Sequence, residues 1–259
     1  MRSEPVFAVA ISRDRIIIAS CIVMITLLAW AHLFQLDRQM SSADAMAQMG
    51  MAVSTSWTAR DFLLTFAMWS VMMIGMMLPT ALPVLLLFAQ MRSAREHARS
   101  WRSAAMFGLG YAIVWIGFSG LAATLQLLLH EAALLSSAMV LRSSLVSGAV
   151  LIAAGIYQLT PAKARCLTKC QSPLGFLLAN WREGARGALE LGARHGLYCL
   201  GCCWALMCVL FAVGVMNLAW VAVLTAFILI EKFGPAGMRL ARVSGVMIVA
   251  LGIFTAMRS

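Results

Sequence analysis

Seven apolar stretches recur along a chain of 259 residues, at 16–36, 62–90, 103–129, 143–160, 197–217, 218–233 and 241–257. The hydrocarbon core of a bilayer is about 30 Å thick, and about 20 helical residues cross it. Repeated runs of this kind specify an all-α, polytopic transmembrane helix bundle of about seven spans. The 218–233 run is short and Asn217 marks no more than a tight turn, so six spans is the alternative.

Only 12% of the residues are charged and 62% are hydrophobic. Soluble domains carry about 25% charged residues. Residues 1–259 therefore read as one integral membrane domain, with no sizeable soluble domain beside it. The net charge of +10 does not point to nucleic acid, because the basic residues sit between apolar runs without interleaved aromatics. They read as topology determinants next to anionic lipid. With the N-terminus in the cytoplasm, 16 of the 20 Lys and Arg residues fall in inside segments. The outside ones are Arg38, Arg60, Arg142 and Arg258, and the C-terminus is then outside. The basic start (Arg2, Arg13, Arg15) leads into Ile16–Leu36 with no small-residue cleavage site, so an uncleaved first span is expected.

Two connections stand out. Residues 37–61 form an outer, methionine-containing loop. Residues 161–195 form a cytoplasmic polar or interfacial loop, in which Phe176, Leu177 and Trp181 are expected to face lipid on an amphipathic helix. Its glycines argue against a rigid element throughout. No internal repeat of the kind found in many secondary transporters is evident.

The chemistry-bearing stretch is His195-Gly-Leu-Tyr-Cys199-Leu-Gly-Cys202-Cys203-Trp204-Ala-Leu-Met207-Cys208. In a helix, steps of three and four bring His195, Cys199 and Cys202 or Cys203 to one face. Imidazole and thiol are donors that copper(I) and zinc select. Six of the seven cysteines fall in two groups, Cys166 with Cys170 and Cys199, Cys202, Cys203 with Cys208, while Cys21 stands alone. Both groups lie on the expected cytoplasmic side, where thiols stay reduced, so metal binding or redox exchange is favoured over structural disulfides. The two groups are expected to converge on one ion. The bland alternative makes Cys203 and Cys208 small packing residues and His195 a helix-entrance residue. Glu183 and Glu190 are expected to pair with Arg186 and Arg194, or else to orient the imidazole.

Glu231, at the end of the sixth run, is a candidate for an ion or proton path, with Lys232 neutralising it or reaching the headgroups. Of the 19 methionines, Met46, Met49 and Met51 lie in the outer loop, and Met68, Met72 and Met76 recur one turn apart in the second run. Thioethers bind copper(I) well. Met46, Met49, Met51, Met72 and Met76 therefore trace a candidate soft-metal path, against the alternative that methionine simply fills gaps. Pro79 and Pro83 are expected to break or kink the second run, and Gly75 to admit a close neighbour.

The strings Met68-Trp-Ser-Val-Met-Met-Ile-Gly-Met-Met-Leu-Pro-Thr80, Tyr157-Gln-Leu-Thr-Pro-Ala-Lys163, Cys170-Gln-Ser-Pro-Leu-Gly-Phe176 and His195-Gly-Leu-Tyr-Cys-Leu-Gly-Cys-Cys-Trp204 resemble a specific bacterial family. So does Met216-Asn-Leu-Ala-Trp220 followed by Glu231-Lys232. The family is domain of unknown function 2182, described as predicted metal-binding integral membrane proteins, and the resemblance covers residues 60–235. It implies a multi-pass protein of the bacterial inner membrane that binds a metal, without implying which ion.

Three functions follow as expectations. The first is a protein that binds a soft transition metal, copper(I) in preference to zinc, and transports or delivers it. Met46, Met49 and Met51 collect the ion and Met72 and Met76 pass it on. His195, Cys199, Cys202 and Cys203, with Cys166 and Cys170, hold it. A metallochaperone is its natural partner. The second is a membrane thiol-disulfide electron carrier with a periplasmic thiol partner. The third is a scaffold subunit with a structural zinc. No Walker-type nucleotide motif, dinucleotide fingerprint or hydrolase nucleophile-base pair is recognisable, so an ordinary enzyme is the least favoured class.

Overall fold

A computed structural model of the chain describes residues 13–41, 58–96, 100–132, 134, 141, 143–215 and 217–258. The described residues form nine helices. They are α1 (Arg13–Ser41), α2 (Ala59–Glu96), α3 (Ser100–Glu131), α4 (Ser144–Leu159), α5 (Pro161–Gln171), α6 (Pro173–Asn180), α7 (Gly184–Val213), α8 (Leu218–Phe233) and α9 (Gly237–Ala256).

The apolar runs become helices whose ends are written in local chemistry. Thr58 and Asp61 cap α2 reciprocally: Asp61 Oδ2 accepts from the Thr58 amide at 2.9 Å and Thr58 Oγ1 accepts from the Asp61 amide at 3.4 Å. Thr160 Oγ1 accepts from the Lys163 amide at 3.3 Å, and Pro161 occupies the first turn where no N–H is needed. Because Pro161 cannot continue the α4 ladder, the chain bends by 62° between α4 and α5. Asn217 Oδ1 accepts from the Trp220 amide to start α8, and Gly214, at φ +107°, ends α7 in a conformation that favours glycine.

Five helices are long and apolar enough to cross a membrane: α1, α2, α3, α7 and α9. The bent pair α4–α5 raises the count to six. That meets the lower of the two expected numbers. The remaining run, the sixth, is the 16-residue α8, about 24 Å long at 1.5 Å per residue and short of a full crossing by itself. Outward faces carry bare aliphatic residues such as Leu27, Leu28, Leu63, Leu121 and Met247, consistent with a lipid surround.

Contacts fix how the helices run. α1 is antiparallel to α2, with Ala29 against Gly75, so the close neighbour expected at Gly75 is α1. α3 is antiparallel to α2, with Trp69 Nε1 donating to Gln126 Oε1 and Thr80 near Tyr111. α3 and α7 run parallel in close contact, with Gly192 against the Phe107 carbonyl and Gly196 against Val114. α4 and α9 pack through glycines facing each other's backbone: a Cβ at Gly155 would lie 2.7 Å from the Gly245 carbonyl. The short α5 and α6 lie against α7 and α2 at one end.

Three expectations are corrected. The segment 161–195 is α5, α6 and the first turns of α7 rather than a loop. On α6, Phe176 and Leu177 are buried, while Leu174 and Leu178 are exposed. Phe176 turns inward because it packs against His195 and Tyr198 of α7. Finally, of the break or kink expected at Pro79 and Pro83, the break is absent, and α2 is one helix through both. Nearby, the Met77 carbonyl takes hydrogen bonds from Thr80 Oγ1 and Tyr111 Oη, both at 2.8 Å.

Candidate functional site

The buried stripe of α7 includes His195, Cys199, Cys202, Cys203, Leu206 and Met207. Helical spacing alone predicts this, and His195 lies inside the helix, 2% exposed, rather than at a loop junction. Cys199 is the most heavily contacted thiol. Its Sγ lies 2.8 Å from Lys232 Nζ on α8, 3.0 Å from Tyr111 Oη on α3 and 3.8 Å from Thr80 Oγ1 on α2. Lys232 Nζ also donates to Thr80 Oγ1 at 3.1 Å. The ammonium therefore sits between a thiol and a hydroxyl, in a place where Lys232 is only 5% exposed.

The two cysteine groups do meet, in part. Cys170 Sγ on α5 lies 4.0 Å from Cys202 Sγ. Cys203 Sγ lies 4.0 Å from the Met77 thioether on α2. Both thiols of α7 donate to the Cys199 carbonyl, from Cys202 at 3.1 Å and from Cys203 at 2.8 Å. Cys166 approaches α7 at Gly201, where a Cβ would lie 2.7 Å from its sulfur. Cys208 is partly buried and Cys21 is exposed.

His195 is held differently. Its ring lies among Phe176, Tyr111 and Phe107, at centroid distances of 5.1, 5.8 and 6.0 Å. Its Nδ1 is buried without a hydrogen-bond partner. Glu190 is not that partner: it pairs with Arg182 at 2.6 Å and Arg194 at 3.0 Å on a solvated surface, the default expected for it with Arg194. Glu231 does not pair with its neighbour Lys232. Lys163 of α5 reaches it at 2.7 Å, with both side chains 1% exposed.

Met72, Met73, Met76 and Met77 are all buried along α2. Met46, Met49 and Met51 lie outside the described residues. Sequence reasoning missed Lys163, Lys232, Tyr111, Thr80 and Met77 as members of the cluster. The available signal was a lysine, a tyrosine and a threonine within or beside apolar runs, since polar groups at such depth need partners.

Among the described residues, no three side chains from His, Cys, Asp and Glu converge as they stand on a position for a metal ion. Two close sulfur–sulfur contacts are present instead. With metal–thiolate bonds of about 2.3 Å, two sulfurs facing across an ion stand up to about 4.6 Å apart. The Cys170–Cys202 and Met77–Cys203 pairs, each 4.0 Å apart, fall inside that limit. Thiolate and thioether are the soft donors copper(I) selects, whereas a structural zinc asks for four ligands. The donor set therefore fits copper(I) as cargo better than it fits zinc.

Fold and interior together define a multi-pass helical membrane protein with sulfur side chains gathered inside it. More particularly, the chain belongs to the PpoB2 copper chaperone family, whose model matches residues 66–255. That stretch includes α3 to α9 and most of α2, and it overlaps the region 60–235 that carries the motif resemblance. No curated protein and no solved structure matches the chain.

Proposed function

We propose that this membrane protein binds copper(I) in the buried sulfur cluster and hands it on to an acceptor. The observation that carries the reading is the meeting of α2, α5 and α7 sulfurs at two 4.0 Å contacts, Cys170–Cys202 and Met77–Cys203, beside Cys199. Membership of a copper chaperone family supports copper as the ion. Thiols must lose their protons to ligate, and a thiolate in an apolar interior needs a nearby positive charge. Lys232 Nζ, 2.8 Å from Cys199 Sγ, supplies one without being a ligand. Met72 and Met76 lead toward the cluster along α2, and the half-buried Cys166 stands at its edge on α5. His195, one turn from Cys199, is the imidazole adjacent to the sulfurs. The motif resemblance supports a bacterial inner membrane, and the excess of basic residues supports a cytoplasmic α5–α6 end. There a soluble metallochaperone is the partner whose ligand chemistry matches.

Copper-edge X-ray absorption on the copper-loaded protein tests this. The expected result is a sulfur-dominated shell near about 2.3 Å, with any nitrogen scattering lost in His195→Phe. A shell of oxygen and nitrogen alone would contradict the proposal. The Cys170–Cys202 contact also supports a second reading, a thiol-disulfide carrier. That reading requires a mixed disulfide to be trapped between one of these thiols and a partner protein.

A further inference from the structure

Cys199, Cys202, Cys203 and the methionines Met72, Met73, Met76 and Met77 are all 0–2% exposed. An ion cannot reach them without a way in. At the end of the bundle opposite α5 and α6, α1, α2, α8 and the turn after α7 border a partly open cavity of about 20 Å³. A volume above roughly 10–15 Å³ accepts one water-sized occupant. Its lining is Leu33, Leu36, Asp37, Met68, Met72, Val215, Leu218 and Val221. Among the described residues of the lining, Asp37 is the one that is charged, and Met68 and Met72 are the sulfur donors. Arg38, next along α1, lies with its guanidinium 4.4 Å from the centre of the exposed Phe34 ring.

Met72 belongs to both the cavity and the buried row. From it, Met76 is one turn on, and Met73 and Met77 run beside it, each step rising about 6 Å. Met77 then meets Cys203. A carboxylate that attracts a cation, followed by thioethers that bind soft ions and reject hard ones, is the chemistry of a selective entrance.

We infer that Asp37, Met68 and Met72 form the loading port for a soft monovalent cation, through which copper(I) enters the sulfur row of α2. This rests on the copper reading above and adds to it a site with its own ligands. The port controls the rate of loading and leaves the amount bound at equilibrium unchanged.

The test is stopped-flow loading of the full-length detergent-purified protein with copper(I) presented as its acetonitrile complex. It compares wild type, Asp37→Asn, Met68→Leu, the double variant, and Met24→Leu, a lipid-facing control that is 60% exposed. Equilibrium copper content, measured on the same samples, reports folding and the sulfur cluster. The double variant is expected to load about tenfold more slowly at unchanged final stoichiometry. The Asp37→Asn effect is expected to shrink as salt is raised. Wild-type loading rates in the double variant, or slowing by Cys166→Ser instead, would overturn the port while leaving the cluster intact. Absence of copper in the wild type would sink the copper reading itself.

Discussion

Lys163, Glu231 and Lys232 show how one residue step changes a partner. Successive positions on a helix point about 100° apart, so Glu231 meets α5 and Lys232 meets α2 and α7. Sequence alone offered Lys232 as the neutraliser of Glu231, because the true partner, Lys163, lies 68 residues away. The buried pair fastens α5, and with it Cys170, against the rest of the site. Removing one charge strands the other. Lys163→Met is therefore expected to destabilise by about 3–5 kcal/mol, and Lys163→Met with Glu231→Leu to recover most of it. Thermal unfolding in detergent checks this, and equal losses in single and double variants would contradict it. The cysteines were legible because their spacing is local. Tyr111, Thr80 and Met77 were not, since their roles depend on which helices become neighbours.

Among the elements, the apolar runs located the helices well but not their ends. α7 begins at Gly184, about three turns before its apolar run, because its polar first turns pack against α3 through Gly192 and Leu191 buries fully. The prolines of α2 misled as a stop signal, since α2 runs on as one helix through Pro79 and Pro83. On α6 the choice of buried face is made by the aromatic shelf of α7, which no local pattern reveals. The α4–α9 contact makes a prediction at this scale. Gly155→Leu would push a side chain into the Gly245 backbone and Val249, and the cost of such overpacking is about 1–3 kcal/mol or more. The expected outcome is a lower yield of monodisperse protein by size-exclusion chromatography, with Gly117→Leu, which meets open space, as the unaffected control.

For the whole molecule, hydropathy and charge set the class, a multi-pass helical membrane protein, before any contact is known. They also give an orientation that is open to test. α8, though short, carries the chain from the Met68 end back to Cys199, and α9 returns it to Gly148. A fusion after Arg258 of a reporter active only outside the cytoplasm should therefore be active, and a fusion at Ser172 should be silent. The reverse pattern would invert the path from Met68 to Cys166. The central claim is that the gathered sulfurs bind copper. It is met most directly by elemental analysis of the purified protein, wild type against the variant with Cys199, Cys202 and Cys203 all changed to serine. The account predicts about one copper per chain in the wild type and none in the variant. Equal copper in both, or zinc in its place with the same cysteine dependence, would contradict it.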